Sequence, residues 1–173
     1  DAGLYEKSRG GTETGRKEKM SDLVIREADA GDIDAIAELE KICFATPWSR
    51  DSIRQELVEN ELAFYVVAEL DGEVVGYMGM WHIVDEGHVT NVAVHPDHRG
   101  KRVASAIVAV VLAYSEAGGI RRFTLEVRSS NEAAKALYRK FDFKEEGLRR
   151  GYYKDNGEDA VIMWRDPAEP LKN

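Results

Sequence analysis

Val89-Thr90-Asn91-Val92-Ala93-Val94-His95-Pro96-Asp97-His98-Arg99-Gly100-Lys101-Arg102-Val103-Ala104 is the stretch on which the fold turns. Residues 89–94 are rich in β-branched and apolar side chains, which predicts a buried strand. Pro96 stops it, because proline cannot donate to a sheet ladder. Residues 99–104 are basic and open a helix, in which Val103, Ile107, Val110, Tyr114 and Ala117 recur at helical spacing. A strand that feeds a basic loop at a helix start is a natural phosphate site. The first helical N–H groups have no intrahelical partner, and the dipole there favours an anion. No Gly-Lys-Ser/Thr follows, so a nucleotide-triphosphate loop does not fit.

Upstream, residues 23–26 read as a first strand, and Asp29 or Asp32 caps a helix containing Ile33, Ile36, Ala37, Leu39 and Glu40. Residues 43–48 are a loop, and Ser49 caps a second helix with a narrow stripe of Ile53 and Leu57. Residues 64–69 and 74–83 form a hairpin about Asp71-Gly72, where glycine accepts a positive φ. Gly76 and Gly79 inside the return strand point to a bulge or a close approach. Glu86-Gly87 is expected to turn the chain into the central strand. Downstream, Gly118-Gly119 ends the long helix. Residues 122–127 alternate, with Phe123, Leu125 and Val127 on one face and Thr124, Glu126 and Arg128 on the other. Ser130 is expected to cap a short helix striped by Ala134, Leu137, Tyr138 and Phe141. Residues 143–148 and 159–164 close the fold as an antiparallel hairpin. This order of elements is α+β, mostly antiparallel with a parallel contact near the middle.

A chain of 173 residues suffices for one core. Residues 1–19 are Gly-, Glu- and Lys-rich without periodicity and are expected to be a disordered, added or processed extension, leaving residues 20–173 as one domain. A net charge of −8 argues against general affinity for nucleic acid and suits a basic protein partner. A single cysteine, Cys43, excludes an internal disulfide and a Cys-rich zinc site, and it is expected to be a structural thiol. His82, His88, His95 and His98 lack metal-ligand spacing and are expected at the surface, although His88 and His95 flank the central strand where a proton relay could stand. No metal is expected. No apolar run approaches the roughly 20 residues of a membrane helix, and no charged-then-apolar leader is present, so a cytoplasmic protein without a membrane partner is expected.

Several motifs, in order, carry a resemblance: Pro47-Trp48-Ser49, Arg99-Gly100-Lys101-Arg102-Val103-Ala104, Leu125-Glu126-Val127-Arg128 with Ser130-Asn131, Ala136-Leu137-Tyr138, Arg149-Arg150-Gly151-Tyr152-Tyr153 and Glu158-Asp159-Ala160. Over about residues 22–165 the chain resembles the GNAT family of acetyl-CoA-dependent N-acetyltransferases, and within it the ribosomal-protein-alanine N-acetyltransferases of the RimI type. The resemblance implies the GNAT fold, a mixed and mostly antiparallel central sheet flanked by helices. Its central and fifth strands splay apart to admit the cofactor. It implies that backbone groups of Val92, Ala93 and Val94 pair with the pantetheine arm, with a backbone N–H near Val94 as oxyanion donor. Arg99, Gly100, Lys101, Arg102, Val103, Ala104 and Ser105 would hold the pyrophosphate, and Asn131 would touch coenzyme A or else cap a helix. Arg102 stands where the family has glycine. An arginine of negative φ could still present its N–H, or it could narrow the site.

The same resemblance makes Glu126 the general base, through water, and Tyr138 the acid that protonates the departing thiolate. The bland alternatives are a carboxylate paired with Arg128 or Arg122, and a packing tyrosine. Trp48, Tyr152 and Tyr153 would border the acceptor peptide, Trp48 alternatively being a hydrophobic plug. The expected reaction moves acetyl from acetyl-CoA to the N-terminal α-amine of a protein, the N-terminal alanine of a small-subunit ribosomal protein, by direct attack in a ternary complex. Another amine, a non-catalytic coenzyme A module and an interaction protein with an acidic surface stay open at this point.

Overall fold

In the computed structural model, which describes residues 22–167, the chain begins with β1 (Leu23–Glu27), a 3₁₀ turn (Ala30–Asp32) and α1 (Ile33–Cys43). It continues through α2 (Arg50–Arg54), a π turn (Gln55–Glu59), β2 (Ala63–Leu70), β3 (Glu73–Ile83) and β4 (Glu86–Val94). After a 3₁₀ turn (Pro96–His98) come α3 (Val103–Ala117), β5 (Arg122–Arg128), α4 (Glu132–Arg139), β6 (Lys144–Arg149) and β7 (Ala160–Arg165). The expected extension at residues 1–19 and Met20 lie outside the described residues.

The strands form one sheet in the order β1-β2-β3-β4-β5-β7-β6. Every pairing is antiparallel except β4 with β5, which is parallel. The α+β architecture expected from the sequence is therefore present. β7 enters between β5 and β6, so the closing hairpin presents its second strand to the sheet and leaves β6 fully exposed at the edge.

Helices cover both faces, as a half-buried sheet requires. α1 packs Ile36 and Leu39 with Tyr65, Val67, Tyr77 and Ala93. α3 packs Ile107, Val108, Val111 and Leu112 against Val66, Met78, Met80 and Val94 from the other side. Asp29 starts the first helical segment through a capping box with Asp32. Ser49 caps α2 by accepting from Ser52 N–H.

Three expectations change. Val110, Tyr114 and Ala117 are exposed, and the buried stripe of α3 is Val103, Ile107, Val108, Val111, Leu112 and Ser115. The helix is apolar almost all round, so spacing alone could not choose its inner face. Asn131, not Ser130, caps α4, through its side-chain oxygen and Ala134 N–H. Glu86 and Gly87 already lie in β4, and the turn is the pair Val84-Asp85 between Ile83 and Glu86. Gly87 serves packing instead, since a Cβ there would come within 2.8 Å of the Phe123 ring. Gly79 combines the two roles foreseen for it: the ladder shifts at Gly79/Met80, and a Cβ would meet Tyr65 Cζ at 2.5 Å.

Val84 holds φ +57° at 95% exposure. A left-handed conformation costs an L-residue roughly 1–2 kcal/mol, and more is expected of a β-branched one. The first central position of a two-residue turn with this φ favours glycine. Val84→Gly is expected to raise the unfolding free energy by about 1 kcal/mol after the added chain entropy of glycine, as read by urea denaturation.

Candidate active site

β4 and β5 pair only at Glu86↔Arg122, Gly87↔Phe123 and His88↔Thr124. Beyond these residues the strands part. The gap becomes a cavity of about 620 Å³ lined by Val89 to Val92 of β4, Leu125 to Arg128 of β5, Tyr138 of α4 and the loop after α1.

The β4 edge supplies backbone groups to this slot. His95 N–H donates to Val75 O at 2.8 Å. By the alternation of an antiparallel ladder, the polar groups of Val94 and Val92 then point away from β3, toward the slot, and those of Ala93 toward β3. Two of the three expected residues can thus offer backbone to a ligand; Ala93 is engaged within the sheet. Val94 O already accepts from Arg99 Nε at 3.0 Å and lies 3.5 Å from Cys43 Sγ. Arg99 therefore tethers the strand end as well as bringing charge. Cys43 lies on the cavity wall. Burial pushes its thiol up, which keeps it protonated and a poor nucleophile.

In the loop before α3 Gly100 has φ +77° and Arg102 φ +62°. The negative φ allowed for Arg102 is not the one adopted. Arg102 takes the left-handed conformation a glycine would take, and its side chain makes no cap bond to α3. The first N–H groups of that helix, at Val103, Ala104 and Ser105, have no intrahelical acceptors. Lys101 and Arg102 are exposed beside them.

Glu126 and Tyr138 face the same cavity. Glu126 Oε2 lies 2.7 Å from His88 Nε2, and Oε1 lies 3.6 Å from Arg149 Nη2. Its partners are thus His88 and Arg149, not Arg128 or Arg122. The His88 hydrogen bond, ahead of the opposing desolvation, holds the Glu126 carboxyl below its usual range. Tyr138 is 7% exposed, with its ring 5.6 Å from that of Phe143. Burial raises its hydroxyl well above the ordinary tyrosine range, which keeps the proton on the oxygen. Asn131 lines the cavity too, although its side-chain oxygen is engaged as the cap.

One part of the cavity wall is aromatic. Trp48, Tyr152 and Tyr153 border the cavity, and the two tyrosine rings meet edge to face at 5.1 Å. Trp48 is 37% exposed, so it is no buried plug. Its N–H donates to Glu40 Oε2 at 3.1 Å. The other Glu40 oxygen accepts from Asn91 Nδ2 at 2.6 Å and from the Tyr77 hydroxyl. Glu40 is 1% exposed, and three donors satisfy a carboxylate that would otherwise be costly to bury.

Glu40 was missed from the sequence as a site residue, and His88, open there to a relay role, was not given its partner. His88 meets Glu126 only through the parallel register of β4 on β5, which has no local signal. Glu40 carried a signal, being a carboxylate on the inner stripe of α1. Among the described residues no group of three His, Cys, Asp or Glu side chains could hold a metal ion, and no helix is long and apolar enough to cross a membrane.

The profile of the Acetyltransferase (GNAT) family matches residues 33–143. A Bacillus subtilis (strain 168) protein, named provisionally as a ribosomal protein bS18-alanine N-acetyltransferase, is 41% identical over 140 residues, covering 81% of this chain and 93% of that one. The Escherichia coli (strain K12) ribosomal protein bS18-alanine N-acetyltransferase is 32% identical over 141 residues, covering 80% and 94%. The crystal structure of the ribosomal-protein-S18-alanine N-acetyltransferase from Escherichia coli superposes with a TM-score of 0.80 at 28% identity, over 88% of this chain and 98% of that one. The chain belongs to the GNAT acetyltransferase family, whose members use acetyl-CoA.

The Glu126 pKa is lowered on folding, chiefly by the His88 hydrogen bond, so its ionised form contributes stability that is present above the unfolded value near 4.5 and is lost as pH falls through the folded value. His88→Ala removes the first cause of the shift and leaves desolvation opposed chiefly by Arg149. The Glu126 carboxyl titration, followed by carbon NMR, is expected to move upward in that variant.

Proposed function

We propose that this protein transfers acetyl from acetyl-CoA to the N-terminal α-amine of a protein, specifically the N-terminal alanine of a small-subunit ribosomal protein, by direct attack in a ternary complex. The observation that carries the reading is the placement of Glu126, hydrogen-bonded to His88, and of Tyr138 on one cavity between parted strands. The names of the relatives support the acceptor. The residues present also fit the cofactor: inward backbone groups at Val92 and Val94, and a helix start with unengaged N–H groups beside Lys101 and Arg102.

An α-amine has a pKa of about 8 and is mostly an ammonium at neutral pH. Glu126, ionised there, draws that ammonium inward and takes up its proton through water. Its lowered pKa makes it a weak base, so its stronger contribution is electrostatic, and His88 gives the proton a path onward to solvent. Val94 N–H, directed away from β3, would donate to the thioester oxygen as negative charge grows there. Tyr138 donates its hydroxyl proton to the departing sulfur. Acetyl-CoA supplies the activated acyl group. No acyl-enzyme is needed, since Cys43 is held as a thiol.

Glu126→Gln and Tyr138→Phe are each expected to lower single-turnover rates by about 10²–10⁴-fold. Acetyl-CoA binding should change little in either variant. A wild-type rate in one of them would remove that residue from the chemistry. The deciding experiment for the function is calorimetric titration with acetyl-CoA, followed by thiol release on adding an Ala-starting ribosomal peptide. Binding with release is expected. Release only with a lysine peptide or a polyamine would overturn the acceptor, and no acetyl-CoA binding would overturn the enzyme.

A further inference from the structure

The connection between β6 and β7, residues 150–159, carries Tyr152 and Tyr153 to the cavity. Its polar ties outside the hairpin converge on three consecutive residues where β5 ends. Arg128 Nη2 donates to Asp155 Oδ2 at 2.9 Å, and Arg128 Nη1 reaches Asn156 Oδ1 at 3.3 Å and Glu158 Oε2 at 3.4 Å. The guanidinium carbon stands 4.0 Å from the centroid of the Tyr153 ring. Ser129 N–H donates to Asp159 O at 3.1 Å, and Ser130 N–H to Glu158 Oε1 at 2.8 Å. Within the connection, Gly157 N–H closes on Tyr153 O at 2.8 Å.

One cation thus gathers two carboxylates and an aromatic face. Without it, Asp155 and Glu158 would lie near each other with no counter-charge from β5, and Tyr153 would lose the group that covers its ring. Arg128 is also only two residues from Glu126 and three from Asn131, so whatever fixes the connection to Arg128 fixes it relative to both.

We propose that Arg128 is a positioning residue for the acceptor: its guanidinium clasps Asp155 and Glu158 and lies on the Tyr153 ring, setting the aromatic wall at a fixed distance from Glu126. The inference rests on the acetyltransferase reading, which gives that wall an acceptor to grip. The task requires a planar fork, because an ammonium can meet one carboxylate but cannot serve two and lie flat on a ring.

The test compares the full chain with Arg128→Ala and Arg128→Lys. Melting temperature, acetyl-CoA Kd, and kcat and KM for an Ala-starting peptide are measured on each. Arg128→Ala is expected to raise the peptide KM about tenfold, while kcat and acetyl-CoA Kd change less than about threefold. Arg128→Lys should recover part of the loss. An unchanged peptide KM in a folded Arg128→Ala protein overturns the proposal, as does a fall in kcat and acetyl-CoA affinity that merely tracks the melting temperature. Should Arg128→Ala not fold, Asp155→Asn, which loosens one tie and keeps the guanidinium, decides by the same KM readout. A wild-type protein that releases no thiol with any peptide overturns the acceptor reading itself, a result distinct from an active wild type with an indifferent Arg128.

Discussion

Three paired residues and then a parting define this molecule. β4 and β5 hold together at Glu86↔Arg122, Gly87↔Phe123 and His88↔Thr124, and the sheet opens beyond them. A sheet that parts leaves backbone groups without partners, at a cost of about 1–3 kcal/mol for each one that is buried and unsatisfied. Arg99 and Cys43 relieve part of this at Val94 O. The remaining slot-side groups are a strand edge kept ready for another extended chain. The bulge at Gly79/Met80 adds twist to β4 close to where the strands separate.

Two carboxylates border the cavity and are put to different uses by their surroundings. Glu40 is sealed by Tyr77, Asn91 and the Trp48 N–H, so it has no free oxygen for chemistry and instead ties the loop after α1 to the central strand. Glu126 has one oxygen on His88 and the other only loosely near Arg149, and it keeps 13% of its side chain exposed. Both are strand or helix residues with rigid backbones. Three hydrogen bonds against one, rather than residue type, separate a sealed carboxylate from an open one.

Backbone strain is present at the start of α3 as well as in the Val84 turn. Arg102 holds a left-handed conformation at the start of α3, in place of the glycine that the family prefers there. This keeps the helix N-terminus open to an anion and adds a cation beside it. The penalty of roughly 1–2 kcal/mol is small against the burial of Val103, Ile107 and their neighbours, which fixes the helix regardless.

Much of this was legible in the sequence. Alternation along residues 122–127 placed Glu126 opposite Phe123, Leu125 and Val127, and the Asp71-Gly72 turn, Ser49 cap and Gly118-Gly119 stop are local rules of backbone chemistry that any fold must obey. The ordered motifs assigned Glu126, Tyr138 and the loop at residues 99–104 to one site, of which Glu126 and Tyr138 line a common cavity. The inner face of α3 was not legible, because a helix apolar on all sides has no preferred face until a sheet covers it. Nor was the turn at Val84-Asp85, where local preference pointed to glycine and the packing of Phe123 claimed Gly87 instead. His88 beside Glu126, Glu40 beneath Trp48 and Arg128 beneath Tyr153 are pairs 38, 8 and 25 residues apart. The sequence by itself determined the elements and the chemical groups; the tertiary structure decided which groups touch. Strand register and chain crossing are set by the summed packing of the whole core, and no local stretch encodes that sum.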